Sequence, residues 1–172
     1  MNIHYELTEE DYINFNLYHI KHSKVGKRSL LLQRIVTPFL YIIVAYLFSK
    51  IGNLPFLPLL ITFLIMSALW VIFYPKYFYR LIARNAKKMI KEGKNDDLLG
   101  NHQLQMSDEG LVDTTANKET KVMWSGITSV KEDDGYFFFY NSSVSAYILP
   151  KRELDHVDEV RQYIQSKVTS EN

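Results

Sequence analysis

The sequence predicts an α+β membrane protein. It reads as a two-helix transmembrane hairpin joined to a cytoplasmic, mostly antiparallel β domain of about seven strands that ends in a C-terminal helix. Three observations carry this. From Ile35 to Tyr74 there are 40 residues and one charge, Lys50, so 38 of the chain's 39 Lys, Arg, Asp and Glu residues lie outside that block. Cations crowd both flanks of the block and are scarce in its middle. Beyond Asn95 the pattern changes to short alternating segments separated by turn residues. With 172 residues there is room for one modest domain beside the apolar block. Abundant aromatics and the lack of any glycine period exclude disorder and collagen. The absence of cysteine removes disulfide scaffolds, thiol catalysis and cysteine zinc sites.

Four segments follow in order. Residues 1–29 hold a strand, Asn2 to Leu7, in which Ile3, Tyr5 and Leu7 alternate with polar residues, and then a helix. Thr8 is its expected cap, Glu9, Glu10 and Asp11 suit the positive end of the helix dipole, and Ile13, Leu17 and Ile20 share one face. The helix is expected to end near Ser23.

Residues 30–74 form the hairpin, with spans at 30–49 and 55–74. A bilayer core of about 30 Å takes about 20 apolar helical residues, and both stretches satisfy this. Arg34, the one charge in the first span, lies in its opening turns, where a long side chain reaches the headgroups. Pro55 suits a first helical turn, and the short Lys50 to Leu54 connection makes the pair antiparallel. The acidic opening of the chain and the late start of the apolar run argue against a cleaved signal peptide. Twelve cations flank the outer ends of the spans, from Lys21 to Arg34 and from Lys76 to Lys94, against Lys50 alone in the connection. That bias places both termini in the cytoplasm. Trp70, Tyr74, Tyr77 and Tyr79 provide an aromatic belt at the same end.

Residues 75–94 keep helical spacing until Gly93, with Phe78, Ile82, Ala86 and Met89 on one arc and cations on the other. Residues 95–172 are the β domain. Strands are expected at His102 to Ser107, Leu111 to Thr115, Thr120 to Trp124, Ile127 to Glu132, Tyr136 to Tyr140 and Ser145 to Leu149. Pro150 ends the last, and Asp155 caps a helix presenting Val157, Val160, Ile164 and Val168. With the N-terminal strand the count is seven, which suggests a pleckstrin-homology-like (PH-like) barrel or sandwich whose first strand is separated from the rest by the hairpin.

Several short motifs then add a resemblance. The opening strand, LTEEDY with FNLYH, the two apolar helices, Trp124-Ser125 with Ile127 and Val130, and Ile148 to Glu153 (ILPKRE) are similar in order to the YcxB-like proteins of bacteria. The resemblance spans nearly the whole chain. It implies a small inner-membrane protein of uncharacterised function and supplies no catalytic residues.

The candidate chemical sites are few. His19 and His22 stand at i, i+3, but no carboxylate lies one turn away and Lys21 and Lys24 repel a cation, so a solvated helix face is expected rather than a metal site. The pairs Asp96-Asp97, Asp108-Glu109 and Asp133-Asp134 lie in glycine-containing turns. No nucleophile elbow, phosphate loop or dinucleotide fingerprint is present, so neither enzymatic activity nor a cofactor is expected. The aromatic run Tyr136 to Tyr140 reads as a strand buried on both faces. Stacking on nucleic acid is disfavoured because residues 95–172 carry 7 Lys and Arg against 14 Asp and Glu.

The positive charge is concentrated instead at Arg80, Arg84, Lys87, Lys88 and Lys91, which either set topology or touch anionic headgroups. The expected function is a non-enzymatic, membrane-anchored cytoplasmic module in the bacterial inner membrane. Its expected partners are anionic lipid and a protein partner or a second copy of the chain, with no nucleic acid. The alternative is an accessory subunit of a membrane transport or envelope complex.

Overall fold

The first strand pairs with a segment about a hundred residues away, and this pairing organises the β domain. In the computed structural model, which describes residues 1–92 and 98–168, β1 (Asn2–Leu7) lies antiparallel to β2 (Gly100–Met106), from Asn2 opposite Gln105 to Leu7 opposite Gly100. β3 (Gly110–Thr114) and β4 (Glu119–Met123) extend the sheet in the order β1-β2-β3-β4. A second antiparallel sheet runs β5-β6-β7 through Ser129–Glu132, Tyr136–Tyr140 and Ala146–Pro150. Seven strands in two sheets therefore precede the C-terminal helix α4 (Val157–Val168). The expected Gly93 stop, Lys94 and the Asp96-Asp97 pair lie outside the described residues.

By their internal contacts the residues divide into two units, Met1–Phe15 with Ala86 onward, and Asn16–Asn85. In the first unit the alternation in β1 buries Ile3, Tyr5 and Leu7, and β2 buries His102, Leu104 and Met106. The central strand of the second sheet is apolar on both faces, and Phe137, Phe138 and Phe139 are all buried. Val160 and Ile164 of α4 are buried too, whereas Val168, expected on the same face, is exposed at the helix end. Gly110 allows the start of β3 to lie close against β4. Its φ is +158°, and a Cβ there would stand 2.1 Å from the Val122 carbonyl oxygen.

Several details differ from expectation: Trp124 lies in a 3-10 turn after β4, and β5 begins at Ser129 rather than Ile127. Pro150 ends β7 from inside the strand, as its last residue. Helix α4 opens at Val157, two residues beyond Asp155. In α1 (Glu9–His22) the fully buried residues are Asp11 and Phe15, while Ile13, Leu17 and Ile20 are half-buried. At 100° per residue, position 13 points roughly opposite to 11 and 15. Phe15 has turned that face to the aromatic core, with its ring centroid 5.6 Å from Phe138 and 5.9 Å from Tyr140.

The second unit contains the rest of α1, α2 (Lys24–Ile51) and most of α3 (Phe56–Glu92). Ser23 caps α2 by accepting from the Gly26 N–H at 3.0 Å, and a Cβ at Gly26 would come within 2.2 Å of the Ile20 carbonyl oxygen. Both long helices are long and apolar enough to cross a membrane by length and composition. Most of their side chains are uncovered: Leu57 is 66% exposed and Ile72 64%. α3 is a single helix of 37 residues continuing through Pro75, about 55 Å long, so it greatly exceeds one bilayer core.

Where α2 and α3 pair near Pro75, a polar cluster joins them. Trp70 Nε1 donates to the Gln33 carbonyl at 3.3 Å, and the Tyr74 hydroxyl donates to Gln33 Oε1. Arg34 Nε donates to the Val71 carbonyl at 3.0 Å. This carbonyl is the one that Pro75, four residues on and lacking an N–H, leaves without its helical donor. The Arg34 side chain thus reaches across to α3, a role its expected path to the headgroups did not include.

Candidate functional site

The cationic stripe is built by helical spacing. Lys76, Arg80, Arg84, Lys87, Lys88 and Lys91 recur at three- and four-residue intervals along α3, and all six are exposed. The opposite arc is less uniform than expected. Phe78 and Ala86 are buried and Ile82 is half-buried, but Met89 is 58% exposed, because the apolar arc ends before the last turn.

The five candidate headgroup contacts fall into two groups. Lys87 Nζ lies 2.7 Å from Glu9 Oε1, and Lys88 Nζ lies 3.5 Å from Glu92 Oε1 one turn further on. Arg80, Arg84 and Lys91 have no carboxylate within 4.0 Å among the described residues. This follows from composition: from Tyr12 to Lys91 the sequence contains no Asp or Glu at all. The unit Asn16–Asn85 therefore carries nine Lys and Arg residues and no carboxylate of its own.

The β unit holds a second polar cluster, which the sequence did not reveal. Thr8 and Asp11 cap α1 reciprocally: Asp11 Oδ2 accepts the Thr8 N–H at 2.7 Å and the Thr8 hydroxyl at 2.8 Å, and the Asp11 N–H donates to Thr8 Oγ1 at 3.3 Å. Arg152 then grips the same carboxylate with both terminal nitrogens, at 2.5 and 2.8 Å, and also donates to the Glu6 carbonyl at 3.0 Å. Tyr136 donates its hydroxyl to Asp11 Oδ1 at 2.8 Å and accepts from the Asn14 amide at 3.0 Å.

Asp11 is only 1% exposed. Burial pushes its carboxyl up, but hydrogen bonds from Arg152, Thr8 and Tyr136 outweigh this and hold it at about 2. The cluster ties LTEEDY to ILPKRE, two of the motifs that carried the family resemblance. A legible signal was present in the Thr8-x-x-Asp11 spacing of a capping box. Nothing local identified Arg152 as its partner.

A third polar group is internal to the first sheet. His102 Nδ1 lies 3.2 Å from both oxygens of Asp113, and the Tyr5 hydroxyl donates to Asp113 at 3.3 Å while its ring stacks on the imidazole at 5.2 Å. Burial, then the Asp113 carboxylate, pushes the Tyr5 hydroxyl upward, so it remains protonated and able to donate. The remaining histidine pair is unremarkable: His22 Nδ1 lies 2.8 Å from the Tyr18 carbonyl, its ring against Tyr18. No group of three or more His, Asp or Glu residues suited to a metal occurs among the described residues.

Comparison with curated proteins and with solved structures finds no match for the chain. A family model does match. Residues 107–164, from the turn after β2 into α4, match the model described as YcxB-like protein. That match covers 58 of the 172 residues and makes this segment similar to the YcxB-like family.

Proposed function

We propose that the protein is a non-enzymatic module anchored in the bacterial inner membrane by the α2–α3 hairpin. Both termini are cytoplasmic, and the β domain, read as PH-like from its strand count, binds a protein or a lipid headgroup. The observation that carries this reading is the uncovered apolar surface of α2 and α3. A soluble protein rarely leaves an apolar patch larger than a few hundred Å² exposed, and two helices of this length exceed that many times over. Arg80, Arg84 and Lys91 are the cations most available to anionic headgroups, each contributing about 1 kcal/mol at such a surface. Lys87 and Lys88 contribute less, because Glu9 and Glu92 already compete for them.

Reporter fusions test the anchoring. Reporters before Met1 and after Asn172 are expected to read cytoplasmic, and one inserted at Gly52 extracytoplasmic. Opposite readings at the two termini would rule out the hairpin. Association of the full chain with anionic vesicles tests the headgroup role. It should weaken as ionic strength rises and in R80Q/R84Q, since exposed charges are screened beyond about 8 Å at physiological salt.

A further inference from the structure

The one charge in the first span, Arg34, has no carboxylate partner among the described residues. Arg34 is half-buried, it lies in the acid-free stretch from Tyr12 to Lys91, and its only hydrogen bond among the described residues is from Nε to the Val71 carbonyl. A guanidinium at the edge of hydrocarbon is costly unless something anionic meets it. The Nε bond leaves both terminal amino groups free and holds the planar fork in one orientation. A fork of four N–H groups matches two oxygens of a phosphodiester better than it matches water.

The surroundings fit the headgroup level. Trp70 and Tyr74 stack at 4.7 Å and both donate to Gln33, the neighbour of Arg34, leaving amphipathic rings where apolar and wet regions meet. Lys27 is exposed on the same face of α2, two turns and about 10 Å toward its N-terminus, within reach of the same headgroup. Pro75 sets up the site by freeing the Val71 carbonyl that fixes Arg34.

We propose that Arg34, held by its Nε on the Val71 carbonyl that Pro75 leaves open, binds the phosphate of an anionic phospholipid through its two terminal amino groups. The proposal rests on membrane insertion of the hairpin, and it adds a single lipid-binding site distinct from the diffuse stripe on α3.

The test uses the full chain purified in detergent and freed of lipid. Retained phosphatidylglycerol and phosphatidylcholine are counted by native mass spectrometry for wild type, R34Q, R34K and P75A. Wild type should retain one phosphatidylglycerol in preference to phosphatidylcholine. R34Q should weaken it about tenfold, the scale of one charge-assisted hydrogen-bonded contact. R34K keeps the charge without the fork and should lose part of the affinity. P75A returns an N–H to the Val71 carbonyl, releases Nε and should weaken binding about threefold with Arg34 intact.

Unchanged Trp70 emission in W124F backgrounds shows that each hairpin remains paired. Equal retention by wild type and R34Q overturns the proposal. Displacement of the lipid by millimolar inorganic phosphate also overturns it, by making free phosphate the ligand. If R34Q and R80Q/R84Q reduce lipid retention and vesicle association by the same factors, Arg34 is one more surface charge and the site does not exist, while the headgroup reading stands. Recovery of the wild-type chain outside the membrane fraction sinks both.

Discussion

The two units contain similar side chains and use them in opposite ways. In the β unit, Phe137, Phe138 and Phe139 are enclosed and every inward residue of β1 is buried. In the hairpin unit, Phe39, Leu57 and Ile72 are largely uncovered, while the buried Ala45, aromatic pairs such as Tyr41 with Phe63 and the polar cluster at Gln33 and Arg34 lie along the paired helices. Charge divides the same way. The β unit pairs several of its cations internally, with Arg152 on Asp11, Arg161 on Glu132 and Lys167 on Asp108, whereas the hairpin unit has no carboxylate to offer. One unit therefore encloses its apolar side chains, and the other leaves two long apolar helices uncovered.

This contrast can be broken at several points, and the tests share one readout. In a W70F background Trp124, buried and bonded through its indole N–H to the Ser107 carbonyl, reports the β unit alone. The largest effect is expected from deleting Asn2 to Leu7. Three buried side chains and a full row of ladder bonds to β2 would go with it, so the Trp124 transition should be lost or shifted by many degrees. An unchanged transition would mean that β1 is not needed by the sheet.

Next in size is Phe138→Ala, which empties a fully buried site and should lower β-unit stability by about 3–5 kcal/mol. The matched change Ile72→Ala, on the exposed side of α3, should leave the Trp124 transition where it was. If the two substitutions cost the same, the contrast between the units is wrong.

The Asp11–Arg152 pair should contribute less, on the order of 2 kcal/mol by linkage, with the half-exposed side of Arg152 reducing it further. The sign is set by the lowered carboxyl. An unfolded carboxyl at 3.8 and a folded one at about 2 stabilise fully above pH 4, and this stability is lost as pH falls through about 2. Asp11→Asn should therefore be destabilised at pH 6 and approach wild type near pH 2. Urea midpoints at the two pH values decide it, and an equal gap at both would show that the carboxylate charge is irrelevant. The smallest effect belongs to Lys87→Gln. Its pair with Glu9 is open to solvent, so stability should stay within about 0.5 kcal/mol of wild type and be insensitive to salt.

Much of the fold was legible because the signals were local. Forty residues with one charge, a two-residue alternation in β1 and turn residues between short runs each act over a few neighbours, and the structure has strands close to where those patterns lie. The cationic stripe was legible for the same reason, since helical spacing alone puts Arg80, Arg84 and Lys91 on one side. The pairing of Lys87 was not, because Glu9 lies 78 residues before it.

Composition, charge bias and periodicity, read from the sequence alone, determined that the chain has an apolar helical pair, a seven-stranded domain and runs of cations in the sequence flanking the pair. Tertiary structure decided which distant groups meet. Arg152 reaches Asp11 across 141 residues, Tyr136 reaches it across 125, and Arg34 finds the carbonyl opened by Pro75. Periodicity specifies which face a residue occupies, but a buried charge is satisfied by whichever partner the folded backbone brings within 3 Å, and that choice depends on how the strands and helices pair.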